Sequence, residues 1–120
     1  MKVFIAHPST IDFRKEIYGP IRSSALNAEH EFFLPQENEI ETITKELIKG
    51  CDALVLDVSA PSTGGGIEFG WADAFGKKLI VMHKTGTRYP GSVANVMPAT
   101  FQYDDAEDMV AKLRNALSNQ

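Results

Sequence analysis

The chain has 120 residues, a formal net charge of -4 and one cysteine, and 43% of its residues are hydrophobic. This length suits a single domain over residues 1–120. No cluster of Lys and Arg is present, so we expect no nucleic-acid partner, because binding along a phosphate backbone requires a basic stripe. No apolar run approaches the roughly 20 residues of a membrane span, and no signal peptide begins the chain. Together with the lone Cys51, these features predict a cytoplasmic protein without membrane contact.

The first half of the chain alternates short apolar runs with segments of helical character. Residues 3–6 and 31–34 are apolar runs typical of buried strands. Residues 11–28 are compatible with a helix in two pieces, because Pro20 fits the first turn of a second piece better than a helix interior. Residues 38–49 carry apolar side chains at helical spacing, which predicts a helix over that range.

Residues 53–58 form the strongest strand signal, a continuous apolar run broken only by Asp57. Continuous apolarity is typical of a strand whose two faces are both covered, as in a parallel sheet between helices. The elements predicted after it are a loop over 59–66, a helix over 67–75, a strand over 78–83, a polar connection over 84–98, a strand over 100–103 and a helix over 104–117.

This alternation predicts an α/β fold, a three-layer sandwich with a five-stranded parallel sheet in the flavodoxin- or Rossmann-like order 2-1-3-4-5. Ligands of such sheets bind beyond the carboxyl ends of the strands, where the strand order reverses. Here that point lies between the first and third strands, and the loops that meet there are residues 7–10 and 59–66.

Three consecutive glycines, 64–66, precede the helix that follows the third strand. Glycines allow backbone N–H groups to approach a ligand closely, and a helix N-terminus favours an anion. Neither the P-loop pattern nor the dinucleotide-binding fingerprint is present. On the glycines alone, a flexible loop with tight helix packing is an equal alternative.

Glu68 follows the glycines and is predicted to lie in the first turn of the helix, at the rim of the crevice. The helix macrodipole stabilises a carboxylate in a first turn, which is one sufficient reason for a glutamate there. A carboxylate in this place can also attack an anomeric carbon and form a covalent glycosyl intermediate.

Residues 52–72 read Asp-Ala-Leu-Val-Leu-Asp-Val-Ser-Ala-Pro-Ser-Thr-Gly-Gly-Gly-Ile-Glu-Phe-Gly-Trp-Ala, and residues 75–81 read Phe-Gly-Lys-Lys-Leu-Ile-Val. This pattern resembles the central motif of the nucleoside 2-deoxyribosyltransferase-like family, in particular its 2'-deoxynucleoside 5'-monophosphate N-hydrolase branch. The resemblance implies that Glu68 is the nucleophile and that Ser62 contacts a 5'-phosphate. It also implies a homo-oligomer, a dimer or higher, in which Ser92 is a second phosphate-binding serine.

The remaining predicted substrate-binding residues are Phe4 in the first strand and five residues in the segments that follow strands: Ser9, Ser59, Gly64, Gly66 and Asn95. Phe4 occupies the position of a family tyrosine, and Thr44 that of a family aspartate on the second helix. The family's phosphate-binding arginine has no clear counterpart, although Arg14 and Arg22 lie nearby in the sequence.

His7 and Asp57 are the other candidate catalytic residues. The ordinary pKa of a histidine suits protonation of a departing base, so His7 is a candidate general acid, with a polar loop residue or a phosphate contact as the alternatives. Asp57 is expected either to bind the ribose or orient His7, or to be a solvated carboxylate at a strand end. No His or Cys has a partner at metal-ligand spacing, so we expect no metal and no cofactor.

Three functions are compatible with these residues. The first is hydrolysis of the N-glycosidic bond of a nucleoside 5'-monophosphate, which a serine at position 62 favours, because a hydroxyl can donate to a phosphate that a carboxylate would repel. The second is transfer of deoxyribose between bases. The third is a nucleotide-binding module without catalysis, which the replacements at Phe4 and Thr44 favour.

Overall fold

A computed structural model of the chain describes residues 1–38 and 42–119. Its five parallel strands form one sheet in the order β2-β1-β3-β4-β5, which confirms the predicted α/β class and strand order. The strands are β1 (Lys2–Ala6), β2 (Glu31–Phe33), β3 (Ala53–Asp57), β4 (Lys78–Lys84) and β5 (Ala99–Tyr103).

Helices connect the strands and cover both faces of the sheet. A π-helical turn (Arg14–Tyr18) continues directly into α1, and Pro20 lies in the first turn of α1, as predicted. The α-helices are α1 (Gly19–Arg22), α2 (Leu26–Glu29), α3 (Lys45–Lys49), α4 (Thr63–Ala74), α5 (Gly91–Ala94) and α6 (Ala106–Ser118).

The central strand β3 has side chains buried on both faces, which explains its continuous apolar run. Val55 belongs to a core formed with α1 and α6, whereas Leu54 and Leu56 belong to a second core formed with α3 and α4. Successive side chains of a strand point to opposite faces, so one strand contributes to both cores. Phe4 pairs with Leu54 in the register of β1 and β3 and shares the second core.

The segment before α3 differs from the prediction of one helix over 38–49. Asn38 is not helical, residues 39–41 lie outside the described residues, and α3 begins only at Lys45. Thr44 has extended backbone, and its side-chain oxygen accepts the backbone N–H of Leu47, so it is the N-cap of α3. Threonine favours this position because its hydroxyl satisfies an N–H that has no partner within the helix.

The predicted start of the helix after β3 was also wrong, because α4 begins at Thr63 rather than at Ile67. Ser62 is its N-cap, and the glycines predicted as a loop form its first turn. A second local difference is α5, a short helix within the connection predicted as irregular over 84–98. Within the described residues, no helix has both the length and the apolar character needed to span a bilayer.

Replacing Thr44 with Ala tests where α3 begins. As the N-cap, Thr44→Ala should lower the free energy of unfolding by about 1 kcal/mol, because the N–H of Leu47 loses its partner. In the interior of a helix beginning at residue 38, the same change would be stabilising, since Ala has the higher helix propensity. Urea denaturation measures the sign of this change in the free energy of unfolding.

Thr42→Ala is the matched control, because Thr42 is exposed and lies before the cap. It should change the free energy of unfolding by less than about 0.5 kcal/mol. A stabilised Thr44→Ala variant would contradict the observed helix boundary.

Candidate functional site

A cleft of about 520 Å³ opens beyond the carboxyl ends of β1 and β3, at the place that the strand order predicts. We call it the first cleft. Five of the predicted site residues line it: His7, Ser9, Ser62, Gly64 and Glu68. The loop after β1 and the N-terminal half of α4 therefore meet here, as predicted.

A second cavity of about 430 Å³ lies on the other side of the loop between β3 and α4, and Pro61 and Ser62 line both spaces. The predicted residues Asp57, Ser59, Gly66 and Ser92 line this second cavity and not the first cleft. The structure therefore divides the predicted site between two adjacent spaces.

Two predicted substrate-binding residues, Phe4 and Asn95, line neither space. Phe4 is completely buried and stacks on Phe33 with ring centroids 5.3 Å apart, so it packs in the second core. Asn95 is exposed and is the C-cap of α5.

The N-terminus of α4 forms one wall of the first cleft and approaches the sheet closely at Gly65. A Cβ atom on Gly65 would lie 2.8 Å from Leu56 Cδ1 and 2.8 Å from Ser62 Oγ, so only glycine fits without a shift. The backbone N–H of Gly65 donates to Ser62 Oγ at 3.0 Å. A Cβ atom on Gly64 or Gly66 would meet no atom within 4 Å. Of the three glycines, the close approach therefore requires only Gly65.

Glu68 lies in the second turn of α4, not in the first turn as predicted, because the helix begins four residues earlier than expected. Among the described residues its carboxyl group has no hydrogen-bond or salt-bridge partner. Burial in the cleft raises the pKa of Glu68 to about 7. The expectation that the helix field keeps this carboxylate ionised is therefore outweighed by desolvation. Near neutral pH both protonation states are populated.

His7 lies in the first cleft with both ring nitrogens engaged. Its Nδ1 is 2.8 Å from the carbonyl oxygen of Pro8, and its Nε2 is 2.6 Å from the hydroxyl of Tyr18. Phe13 stacks on the imidazole at a centroid distance of 4.4 Å. Burial lowers the pKa of His7, and the contact with Pro8 and the charge of Asp57 oppose this effect. The ring is therefore held mainly in its neutral form.

Asp57 is completely buried, so the alternative of a solvated carboxylate at the strand end is wrong. Its two oxygens accept hydrogen bonds from the hydroxyl of Tyr103 and, at 2.7 Å, from the backbone N–H of Ser59. Burial beside this carboxylate raises the pKa of Tyr103. The pair connects β3 with the edge strand β5, and Asp57 lines the second cavity.

The residues that line the first cleft include neither Lys nor Arg within the described chain. Arg14 donates to the backbone carbonyl of Glu37 at 2.9 Å, and Arg22 forms a salt bridge with the Glu37 side chain at 2.8 Å. Neither guanidinium therefore reaches the cleft. In residues 1–38 and 42–119, no three His, Cys, Asp or Glu side chains are grouped closely enough to hold a metal ion.

Sequence reasoning missed Tyr18, which adjoins the cleft, and Gln36, which lines it. Trp71 both packs on the second core and lines the cleft together with Ile43. Gln36 follows β2, a strand that no motif connects to the site. The strand order brings these residues to one place, and a local sequence pattern does not determine the strand order.

No family model matches the chain, and no curated protein matches it. Solved structures with similar folds were found. The CMP N-glycosidase BcmB of Clostridium botulinum has 22% identity and a TM-score of 0.69, over 95% of this chain and 99% of that chain. A 2-deoxyribosyltransferase from Bacillus psychrosaccharolyticus has 17% identity and a TM-score of 0.64, over 91% and 90%.

A conserved protein from Enterococcus faecalis V583 has 16% identity and a TM-score of 0.67, over 96% of this chain and 98% of that chain. At these identities the likeness concerns the fold. It extends over nearly the whole chain in all three comparisons.

Adding one methyl group to the glycines of α4 tests the close approach. Gly65→Ala should lower the free energy of unfolding by about 1–3 kcal/mol, because the new Cβ displaces Leu56 or the capping hydroxyl of Ser62. Gly66→Ala should be neutral or stabilising by up to about 1 kcal/mol, since its Cβ meets open space and alanine favours a helix. Equal effects of the two substitutions in chemical denaturation would contradict the packing described here.

Proposed function

We propose that the protein cleaves the N-glycosidic bond of a nucleoside 5'-monophosphate and that Glu68 is the nucleophile. The observation that carries the proposal is a half-buried carboxyl group with a pKa of about 7 and no partner among the described residues, which lines a cleft beside a helix N-terminus. Carboxyl groups with such a raised pKa in a cleft are candidates for catalysis. The motif of residues 52–72 supports the same chemistry, and so do two proteins of similar fold, a CMP N-glycosidase and a 2-deoxyribosyltransferase.

The proposed reaction has two steps. The ionised Glu68 attacks C1' of the sugar, the C1'–N bond breaks, and its electron pair goes to the base nitrogen, which takes a proton from solvent. A glycosyl ester of Glu68 results. Water then attacks C1', the bond from C1' to the carboxylate oxygen breaks, and one proton of the water passes to solvent. The sugar phosphate is released and the free carboxylate is restored.

The phosphate is proposed to bind at the N-terminus of α4. The first N–H groups of a helix have no partner within it, and here glycines leave them accessible beside the hydroxyl of Ser62. Ser62 Oγ accepts the N–H of Gly65 and donates only a long hydrogen bond, 3.4 Å from Oγ to the carbonyl oxygen of His7, so a phosphate oxygen can take that hydrogen instead. Because the cleft has no Lys or Arg in its described lining, hydrogen bonds and the helix dipole must supply the attraction.

The base is proposed to lie against the apolar part of the cleft. Trp71, Ile43 and Ile67 line this part, and aromatic and aliphatic surfaces bind the flat face of a base. A second base entering the same space would accept the sugar in place of water, which is deoxyribosyl transfer. This second function differs from hydrolysis only in the acceptor.

One observation favours the alternative of a binding module without catalysis. Glu68 and His7 are the titratable residues in the described lining of the cleft, and both nitrogens of His7 are engaged. No side-chain acid is then ready to protonate the departing base. Hydrolysis on the proposed route therefore depends on solvent for that proton.

Release of free base from a panel of ribo- and deoxyribonucleoside monophosphates, followed by chromatography, tests the function. Glu68→Gln should reduce the rate by on the order of 10³-fold or more, the scale observed when an enzyme loses its nucleophile. The wild-type rate should fall as the pH decreases through about 7, because only the ionised carboxylate attacks. Supplying a second free base distinguishes transfer from hydrolysis by the appearance of a new nucleotide.

Asp73→Asn is the matched control, since Asp73 is an exposed carboxylate on the same helix. It should retain the wild-type rate. Binding of a nucleotide without release of base from any member of the panel would replace this proposal with the binding module.

A further inference from the structure

Tyr18 lies behind the wall of the first cleft and connects two of the segments that form it. Its side chain is buried, with 3% relative exposure. Its hydroxyl oxygen is 2.6 Å from His7 Nε2 and 3.1 Å from the backbone nitrogen of Gln36. His7 follows β1 and Gln36 follows β2, and both line the cleft. One buried hydroxyl therefore joins two walls of the candidate site.

The chemistry of these groups determines the direction of each hydrogen bond. A backbone N–H can only donate, so the oxygen of Tyr18 accepts from Gln36. The carbonyl oxygen of Pro8, 2.8 Å from His7 Nδ1, can also only accept, so the proton of a neutral ring lies on Nδ1. His7 Nε2 is then an acceptor, and the hydroxyl of Tyr18 donates to it at 2.6 Å. The arrangement selects one neutral tautomer.

The charged groups around this network act in opposing directions. Asp57 on β3 favours a protonated His7, whereas burial opposes it and has the larger effect. Arg14, Glu37 and Glu68 act on Tyr18, but burial dominates there too and raises the pKa of Tyr18 to about 12. The phenol therefore keeps its proton at physiological pH and remains the donor. Phe13, stacked on the imidazole, adds no charge.

We propose that Tyr18 is a positioning residue that holds His7 as the neutral Nδ1–H tautomer and so keeps the cleft wall at the end of β1 uncharged. The consequence rests on the proposed function. A cationic imidazole in the same cleft would attract the carboxylate of Glu68 and weaken it as a nucleophile. A neutral wall suits the uncharged sugar and base, and it leaves the N-terminus of α4 as the place for the phosphate.

Long-range ¹H–¹⁵N spectra of the histidine rings, recorded as a function of pH on the full chain, test this proposal. In the wild type, His7 should carry its proton on Nδ1 and titrate below the ordinary 6.5. Tyr18→Phe removes the hydrogen bond that favours the neutral ring, so the pKa of His7 should rise by about one pH unit and both tautomers should appear. Tyr18→Phe should also add a second titration to the pH profile of base release.

Tyr89→Phe is the matched control. Tyr89 stacks on His83 with ring centroids 5.7 Å apart, and its hydroxyl has no hydrogen-bond partner among the described residues. The variant should leave the tautomer and titration of His7 unchanged. If Tyr18 had a purely structural role, Tyr18→Phe would lower the stability without changing the tautomer or the pKa of His7.

A wild-type His7 that carries its proton on Nε2, or that titrates at 6.5 or above, would overturn the proposal without any variant. A pKa of His7 that stays the same in Tyr18→Phe would also overturn the proposal. These spectra require no turnover. Absence of base release together with the expected His7 spectra would therefore remove the proposed function and retain the role of Tyr18.

Discussion

The close approach of α4 to the sheet at Gly65 is the constraint on which the candidate site depends. With no side chain at Gly65, Leu56 Cδ1 of β3 and Ser62 Oγ both lie only 2.8 Å from the position that a Cβ would take. Ser62 can then cap the helix, and the helix begins at Thr63, directly beyond the carboxyl end of the central strand. The second turn of α4 consequently carries Glu68 into the cleft beside the end of β1. Backbone packing, rather than an ion pair, fixes the place of the carboxyl group.

Desolvation is the main electrostatic effect in this cleft. It raises the pKa of Glu68 and lowers that of His7, so both groups are shifted toward their neutral forms. The arginines nearest in the sequence are held by Glu37 and its carbonyl group, outside the cleft. A poorly solvated carboxylate with no counter-ion is a stronger nucleophile when ionised, as the proposed attack on C1' requires. Because the described lining of the cleft has neither Lys nor Arg, the proposed phosphate site depends on the N-terminus of α4.

The central strand could be predicted because the apolar run at 53–58 requires cover on both faces, a strong and local signal. The strand order followed from the alternation of strands and helices along the whole chain. The start of α4 could not, since three glycines favour a loop by propensity, and packing on Leu56 with the Ser62 cap overrides that preference. The contacts of Tyr18 and Asp57 join residues far apart in the chain. Local patterns therefore identified Glu68 but not the network that surrounds it.

The most direct test of the account is the detection of a sugar bound to Glu68. Acid quenching during turnover of a nucleotide that releases its base, followed by intact mass spectrometry and peptide mapping, would detect a glycosyl ester before water removes it. The account predicts an added mass equal to one sugar phosphate less one water, on the peptide that contains Glu68 and absent from Glu68→Gln. Base release with no adduct on that peptide, or with an adduct on another residue, would contradict it.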